Sequence, residues 1–256
     1  MFKELYNYRE LIKTDIKKEI RGKYKASFLG VLWSFLNPLL QVLMYAIIFP
    51  HILGRTQDNY VVYLVTGIIP WTFFQTTILE CVGCIKNNSG IIKKVYFPRE
   101  ILPLSSALSG LINFFISCVI ILAFCLVTGV GISWHIIFVP LIAIIEEILI
   151  LGLGLALGAM DAYVQDLEYL VNFILMMGFY GSPIVYQMST FSGSRIATLI
   201  QLNPVTTIIN AYRDVFLYHQ IPDMGGLGIV FLVSVIILML GYLIFKKLEK
   251  GFAEQF

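Results

Sequence analysis

The chain has 256 residues, of which 58% are hydrophobic and only 13% charged, with a mean hydropathy of +0.83 and a formal net charge of +2. A polypeptide this apolar cannot keep a water-facing surface, so composition excludes a soluble globular enzyme and points to a polytopic helical membrane protein. The modest charge gives no reason to expect nucleic-acid binding.

At the N-terminal end, residues 2–20 place Leu5, Tyr8, Ile12, Ile16 and Ile20 near one helical face and Arg9, Lys13, Lys17 and Arg21 on another. This pattern predicts an in-plane interfacial helix within a cytoplasmic segment 1–28, drawn to anionic lipid headgroups. A surface helix docked on protein is the alternative. A cleavable signal is not expected, because the following apolar run is too long and lacks a small-residue cleavage site. Five runs then reach the roughly 20 residues that a membrane-crossing helix needs: 29–53, 60–85, 101–128, 135–160 and 227–245. A sixth, 169–186, is shorter and broken by Gly178, Gly181 and Pro183.

Between the sixth run and the last lies 188–223, whose second half carries Val205, Ile208, Ile209, Tyr212 and Phe216 at the spacing of one helical face. Asn203 before Pro204 reads as an N-cap followed by a first helical position. Asn210, Arg213 and Asp214 make this helix too polar and too short to cross, so 188–223 is expected to be an external re-entrant segment that lines or closes the outer mouth. Ile209 and Arg213 are its candidate gate residues.

Charge bias supplies an independent test. With the N-terminus inside, the basic residues between Lys3 and Lys25, then Lys86, Lys93, Lys94 and Arg99, then Lys246, Lys247 and Lys250 are cytoplasmic, while Arg55, Arg195 and Arg213 are external. The positive-inside rule thus favours six spans, both termini in the cytoplasm, and one membrane domain over 1–256.

Chemistry-bearing residues are few. His51, His135 and His219 show no metal-ligand spacing, and no catalytic constellation is evident. Cys81 and Cys84 form Cys-x-x-Cys without a second ligand pair and read as packing residues, as do Cys118 and Cys125. Gly22-Lys23 lacks the flanking residues of a phosphate loop, so the chain is not expected to bind a cofactor or hydrolyse ATP alone. Gly154 and Gly158, beside Gly152, predict a close helix contact within the chain or between chains. Glu146 and Glu147 lie near the middle of a span, where a carboxylate must be neutral, hydrogen-bonded or turned to a polar cavity. They are candidates for a translocation path, and with Glu80 the only argument for a proton-coupled carrier or channel. Aromatic residues are plentiful, and Trp33, Tyr60, Trp71 and Trp134 suit an interfacial belt. Tyr45, Phe179, Tyr180 and Tyr186 are candidates to line a sugar path.

Four blocks carry a resemblance: RGKYKASFLGVLWSFLNP at 21–38, FPREILPL at 97–104, SPIVY at 182–186 and LNPVTTIINAYR at 202–213. In this order they resemble the permease subunits of type 2 ABC transporters that export lipid-linked polysaccharide, such as O-antigen, capsule or wall teichoic acid. The likeness implies a homodimer in the bacterial cytoplasmic membrane with two ATPase subunits, which carry the ATP and Mg and drive a glycan on a polyprenyl-phosphate lipid outward. It also implies that 86–100 couples to the ATPase, through Ile91, Ile92, Lys93, Lys94, Tyr96, Phe97 and Arg99. The apolar members of this loop are expected to dock into a protein groove, with anchoring to lipid headgroups as the alternative. One departure stands in DAYVQD at 161–166, where Gln165 occupies a position at which the family commonly has Arg. The alternative class, an integral-membrane enzyme of lipid-linked glycan metabolism, would need catalytic residues not found here.

Overall fold

The computed structural model describes residues 8–24, 33–53, 58–95, 97–164, 166–188 and 194–255. Their regular structure is entirely helical: α1 (Arg9–Tyr24), α2 (Trp33–Leu53), α3 (Tyr60–Asn87), α4 (Ser89–Ile92), α5 (Ile101–Val127), α6 (Val139–Asp161), α7 (Leu167–Tyr180), α8 (Arg195–Leu202), α9 (Pro204–Phe216), α10 (Met224–Leu248) and α11 (Phe252–Gln255), with 3-10 turns at Trp134–Phe138 and Glu249–Gly251. Four of them, α3, α5, α6 with its preceding 3-10 turn, and α10, are long and apolar enough to cross a membrane. The apolar stretches Leu36–His51 of α2 and Leu167–Tyr180 of α7 are shorter. The chain is therefore a polytopic all-α membrane protein.

Helix α3 is the centre of the bundle. Some 78% of its most apolar stretch is buried, against 22% for α10 at the periphery. It is largely apolar, as a helix surrounded by other helices must be. It packs on α5, α6, α2 and α9, while α10 lies along α6.

Lipid tails are as apolar as leucine, so burial of apolar area does not by itself hold such helices together, and close van der Waals packing at small residues must. The α6 glycines supply it on two faces. A methyl on Gly154 would stand 2.6 Å from the Cys81 Cβ, and one on Gly158 2.5 Å from the Cys81 carbonyl oxygen, both on α3. A methyl on Gly152 would meet the Leu238 amide nitrogen of α10 at 2.7 Å, and Gly241 of α10 faces the Gly152 carbonyl in return. The small-residue contact predicted from sequence thus lies within the chain. Cys81 and Cys84 are buried free thiols, as packing residues should be.

Helix α1 lies against α5 rather than free on a lipid surface. Its Tyr8, Ile12, Ile16 and Ile20 are half-buried, Arg9, Lys13, Lys17 and Arg21 face outward, and Ser106 on α5 donates to Glu19 Oε1 at 2.7 Å. The amphipathic pattern is present, and its apolar face is met by protein.

Candidate functional site

The bundle gathers polar residues at two ends. One end holds Lys86, Arg99, Asp161 and Lys246 and is termed the basic end; the other holds the broken chain after α7 and is termed the re-entrant end.

At the re-entrant end, Gly181, Ser182 and Pro183 stop α7, so the following carbonyls have no helical partners. In an apolar surrounding each needs a donor. Tyr63 of α3 donates its hydroxyl to Tyr186 O at 2.7 Å and to Pro183 O at 3.3 Å. Tyr60, one turn earlier, donates to Val185 O at 2.8 Å, and Arg213 of α9 donates through Nη2 to Ile184 O at 2.9 Å. Four successive carbonyls, 183 to 186, are satisfied by three side chains. The Arg213 guanidinium lies 3.5 Å over the Tyr63 ring and is 2% exposed. Gly67 makes room for it, since a methyl there would meet Arg213 Nη2 at 2.8 Å. Sequence reasoning singled out Arg213 as a gate residue, read Tyr60 as a member of the interfacial belt and missed Tyr63. Their positions at i and i+3 at the start of a span were the available signal.

Helix α9 begins as its sequence specifies, with Asn203 Oδ1 accepting from the Val205 amide at 3.0 Å and Pro204 in the first turn. Its stripe Val205, Ile208, Ile209, Tyr212 and Phe216 is wholly buried. Ile209, a candidate gate residue, therefore faces the interior of its own chain and offers no exposed side chain. Arg213 on the same helix is buried too. Tyr212 donates to Glu146 Oε2 at 3.0 Å, which fixes α6 against α9. Glu147 points elsewhere, as residues about 100° apart on a helix must, and is buried.

Three of the candidate sugar-path aromatics form one cluster with Trp71. Tyr45 stacks on Phe179 with centroids 5.6 Å apart, Trp71 meets Phe179 at 6.0 Å, and Phe179 meets Tyr180 at 5.2 Å. Tyr186 joins through its hydroxyl, which donates to Tyr180 O at 2.9 Å. Phe179 is buried while Tyr180 is exposed; Tyr45 and Tyr186 are half-buried.

At the basic end the segment 86–100 is pinned by charge. Lys86 pairs with the buried Asp161 at 3.2 Å, and Lys246 with Glu100 at 2.9 Å and Glu249 at 3.0 Å. Arg99 donates to the Glu249 carbonyl and stands over the Phe252 ring. Lys18 of α1 reaches Asn88 at 3.1 Å. Asp15, half-buried on α1, has its carboxyl pushed above the ordinary value by desolvation, against the pull of Lys18.

The segment's apolar residues divide. Ile92 and Phe97 are buried in a cluster with Ile101, Leu155, Phe245 and Phe252, while Ile91 and Val95 are 47% and 57% exposed. Ile92 and Phe97 thus anchor the segment to its own bundle and are not free to enter a partner groove, which corrects the expectation drawn from the loop's composition. Ile91, Lys93, Lys94 and Val95 face outward. Tyr96 and Gln165 lie outside the described residues, and Asp161 ties the departing DAYVQD loop to Lys86.

Comparison with known sequences adds an independent line. The model of the ABC-2 type transporter family matches residues 10–217. The O-antigen export system permease protein RfbA of Myxococcus xanthus is 31% identical over 256 residues, covering 100% of this chain and 98% of that one. The protein of the same name from Klebsiella pneumoniae is 32% identical over 96% of this chain and 94% of its own. The polysialic acid transport protein KpsM of Escherichia coli is 23% identical over 91% and 92% respectively.

Proposed function

This chain belongs to the ABC-2 type transporter family, and from that membership we propose what it carries and how its parts divide the work. It is the membrane permease subunit of a polysaccharide exporter. The observation that carries this reading is end-to-end similarity to O-antigen export permeases, joined to an all-helical apolar bundle.

The substrate we propose is a polysaccharide of the O-antigen or capsule kind, on a polyprenyl-phosphate lipid, in a bacterial cytoplasmic membrane. Two copies of the chain work with two ATPase subunits, which bind ATP and Mg. The basic end is cytoplasmic with both termini, and the re-entrant end faces outward, in keeping with the positive-inside rule. The ATPase bears on Ile91, Lys93, Lys94 and Val95. Its push reaches the bundle through Ile92 and Phe97, seated beside Phe245 and Phe252, and through Lys246 on Glu100. At the outer end the 182–186 segment and α9 move as one body, because Arg213 and Tyr63 join them.

The test is co-purification of the chain with a candidate phosphate-loop ATPase from the same organism, and complementation of a permease-deletion strain for surface glycan. Replacing Ile91 and Val95 together by Ser should leave the permease inserted but reduce ATPase binding or export. Normal binding and export in that variant would remove this face from the mechanism, and failure of the wild-type chain to restore glycan would remove the exporter reading.

A further inference from the structure

Helix α10 runs into the 3-10 turn Glu249–Gly251 and then α11, which begins at Phe252. Carbonyls at the end of a helix lack intrahelical donors, and two of them here are met from different segments. Tyr163, in the loop that follows α6, donates its hydroxyl to Leu248 O at 2.7 Å. Arg99, two residues before α5, donates through Nη1 to Glu249 O. Phe252 is fully buried where these segments meet. Its ring packs edge-on against Phe245 of α10 with centroids 5.6 Å apart, meets the Tyr163 ring at 6.2 Å and carries the Arg99 guanidinium 5.7 Å over its face. Gly251 permits the close approach, since a methyl there would strike the Tyr163 hydroxyl.

One side chain thus joins the entry to α5, the exit of α6 and the end of α10. The Lys86–Asp161 pair, by comparison, ties α3 to α6 alone. Ion pairs at a wet border exchange partners at small cost, and apolar contact has no direction of its own. Hydrogen bonds to two adjacent carbonyls do have direction, so they fix the register in which the three ends meet. A load entering at the outward residues of 86–100 reaches Arg99 within the same segment. Building on the exporter reading, we propose that the 249–252 turn is a yoke: it holds the 86–100 segment in register with the ends of α6 and α10, so that the ATPase's push is delivered to α5, α6 and α10 at once. Phe252 and Tyr163 are its positioning residues, acting on export through Arg99.

The test is the amount of ATP hydrolysed per glycan exported, measured with the permease–ATPase complex in inverted vesicles and lipid-linked glycan extracted from the producing strain. Tyr163→Phe keeps the ring and loses the donor to Leu248 O, and a lost hydrogen bond of ordinary strength should raise that ratio about threefold. Phe252→Leu keeps an apolar side chain but removes the ring beneath Arg99, and should raise the ratio by a similar factor. Because both act in one unit, the double variant should stay near threefold rather than reach about ninefold. A side chain that only held the fold would lower the amount of complex, and with it hydrolysis and export in step, leaving the ratio unmoved. Unmoved ratios in the single variants therefore overturn the yoke, and a ninefold ratio in the double variant overturns it equally. Tyr163 is 37% exposed, so Tyr163→Phe decides the matter by itself where Phe252→Leu inserts poorly. Wild-type complex in the same vesicles separates the layers: no ATPase binding or no export by wild type overturns the exporter reading, whereas wild-type export with unmoved ratios overturns the yoke alone.

Discussion

The two ends of the bundle solve the problem of polar groups near lipid in opposite ways. At the re-entrant end a broken backbone is stitched by two phenols and one guanidinium, all donating to carbonyl oxygens, with the arginine lying on an aromatic ring. At the basic end, Lys86 and Lys246 meet Asp161 and Glu100 in ion pairs whose lysines are about a third exposed. The first arrangement is dry and leaves little alternative partner for any member. The second borders water, where charges exchange partners at small cost. A moving transporter needs both: a part that keeps its shape as it travels and a part that yields when pushed.

Breaking the dry end should have the largest effect. Arg213→Ala strands the Ile184 carbonyl and removes a charged hydrogen bond and a cation–π contact, so it should lower stability by about 3 kcal/mol, read as an earlier aggregation midpoint in detergent. Arg213→Lys keeps charge but not the flat fork and should recover only part of the loss. If Arg213→Ala melts like wild type, the stitch is ornamental and the contrast between the ends disappears.

The basic end should be softer and sensitive to salt. Lys246→Met leaves Glu100, only 5% exposed, facing no cation at that position. We expect a cost of about 1–2 kcal/mol. Raising ionic strength to about 0.5 M should shrink the gap between mutant and wild type by screening the pairs. A salt-independent gap would mean that the basic end is as dry as the other.

Smallest of all should be Glu146→Gln, which can still accept from Tyr212; its midpoint and export should match wild type. Glu146→Leu strands the phenol and should cost about 1 kcal/mol or more. Loss of export in Glu146→Gln with folding intact would show that ionisation matters at α6 and would revive a proton-coupled reading.

Much of the scaffold was legible in the chain. Four of the five span-length apolar runs, the Asn203-Pro204 helix start and the buried stripe from Val205 to Phe216 follow from local rules of length, capping and period and are found in place among the described residues, while the 29–53 run yields a shorter apolar helix. What could not be read was direction. The sequence of α3 is mostly apolar and does not say which helices will surround it, and only tertiary packing decides what its Thr72, Thr76 and Glu80 face. The inward turn of Ile92 and Phe97 was equally hidden: exposed and buried apolar residues look alike in a short loop until α11 supplies Phe252 as neighbour. The stitch from Tyr63 to Tyr186 spans 123 residues of sequence, a separation that no local pattern encodes.

The back-to-back glycines of α6 and α10 also bear on the order in which the chain can be assembled. Gly152 is inserted with the fourth long run, yet the backbone it fits, around Leu238 and Gly241, arrives with the last. Until α10 emerges from the insertion machinery, that flank of α6 is open to lipid and α6 is held from its other flank by α3, through Gly154, Gly158 and Cys81. Helix α10 therefore docks onto a flank of α6 that precedes it in the chain, and a bulky residue at Gly152 or Gly241 should act there, producing chains that insert their spans but fail to seat α10 against α6.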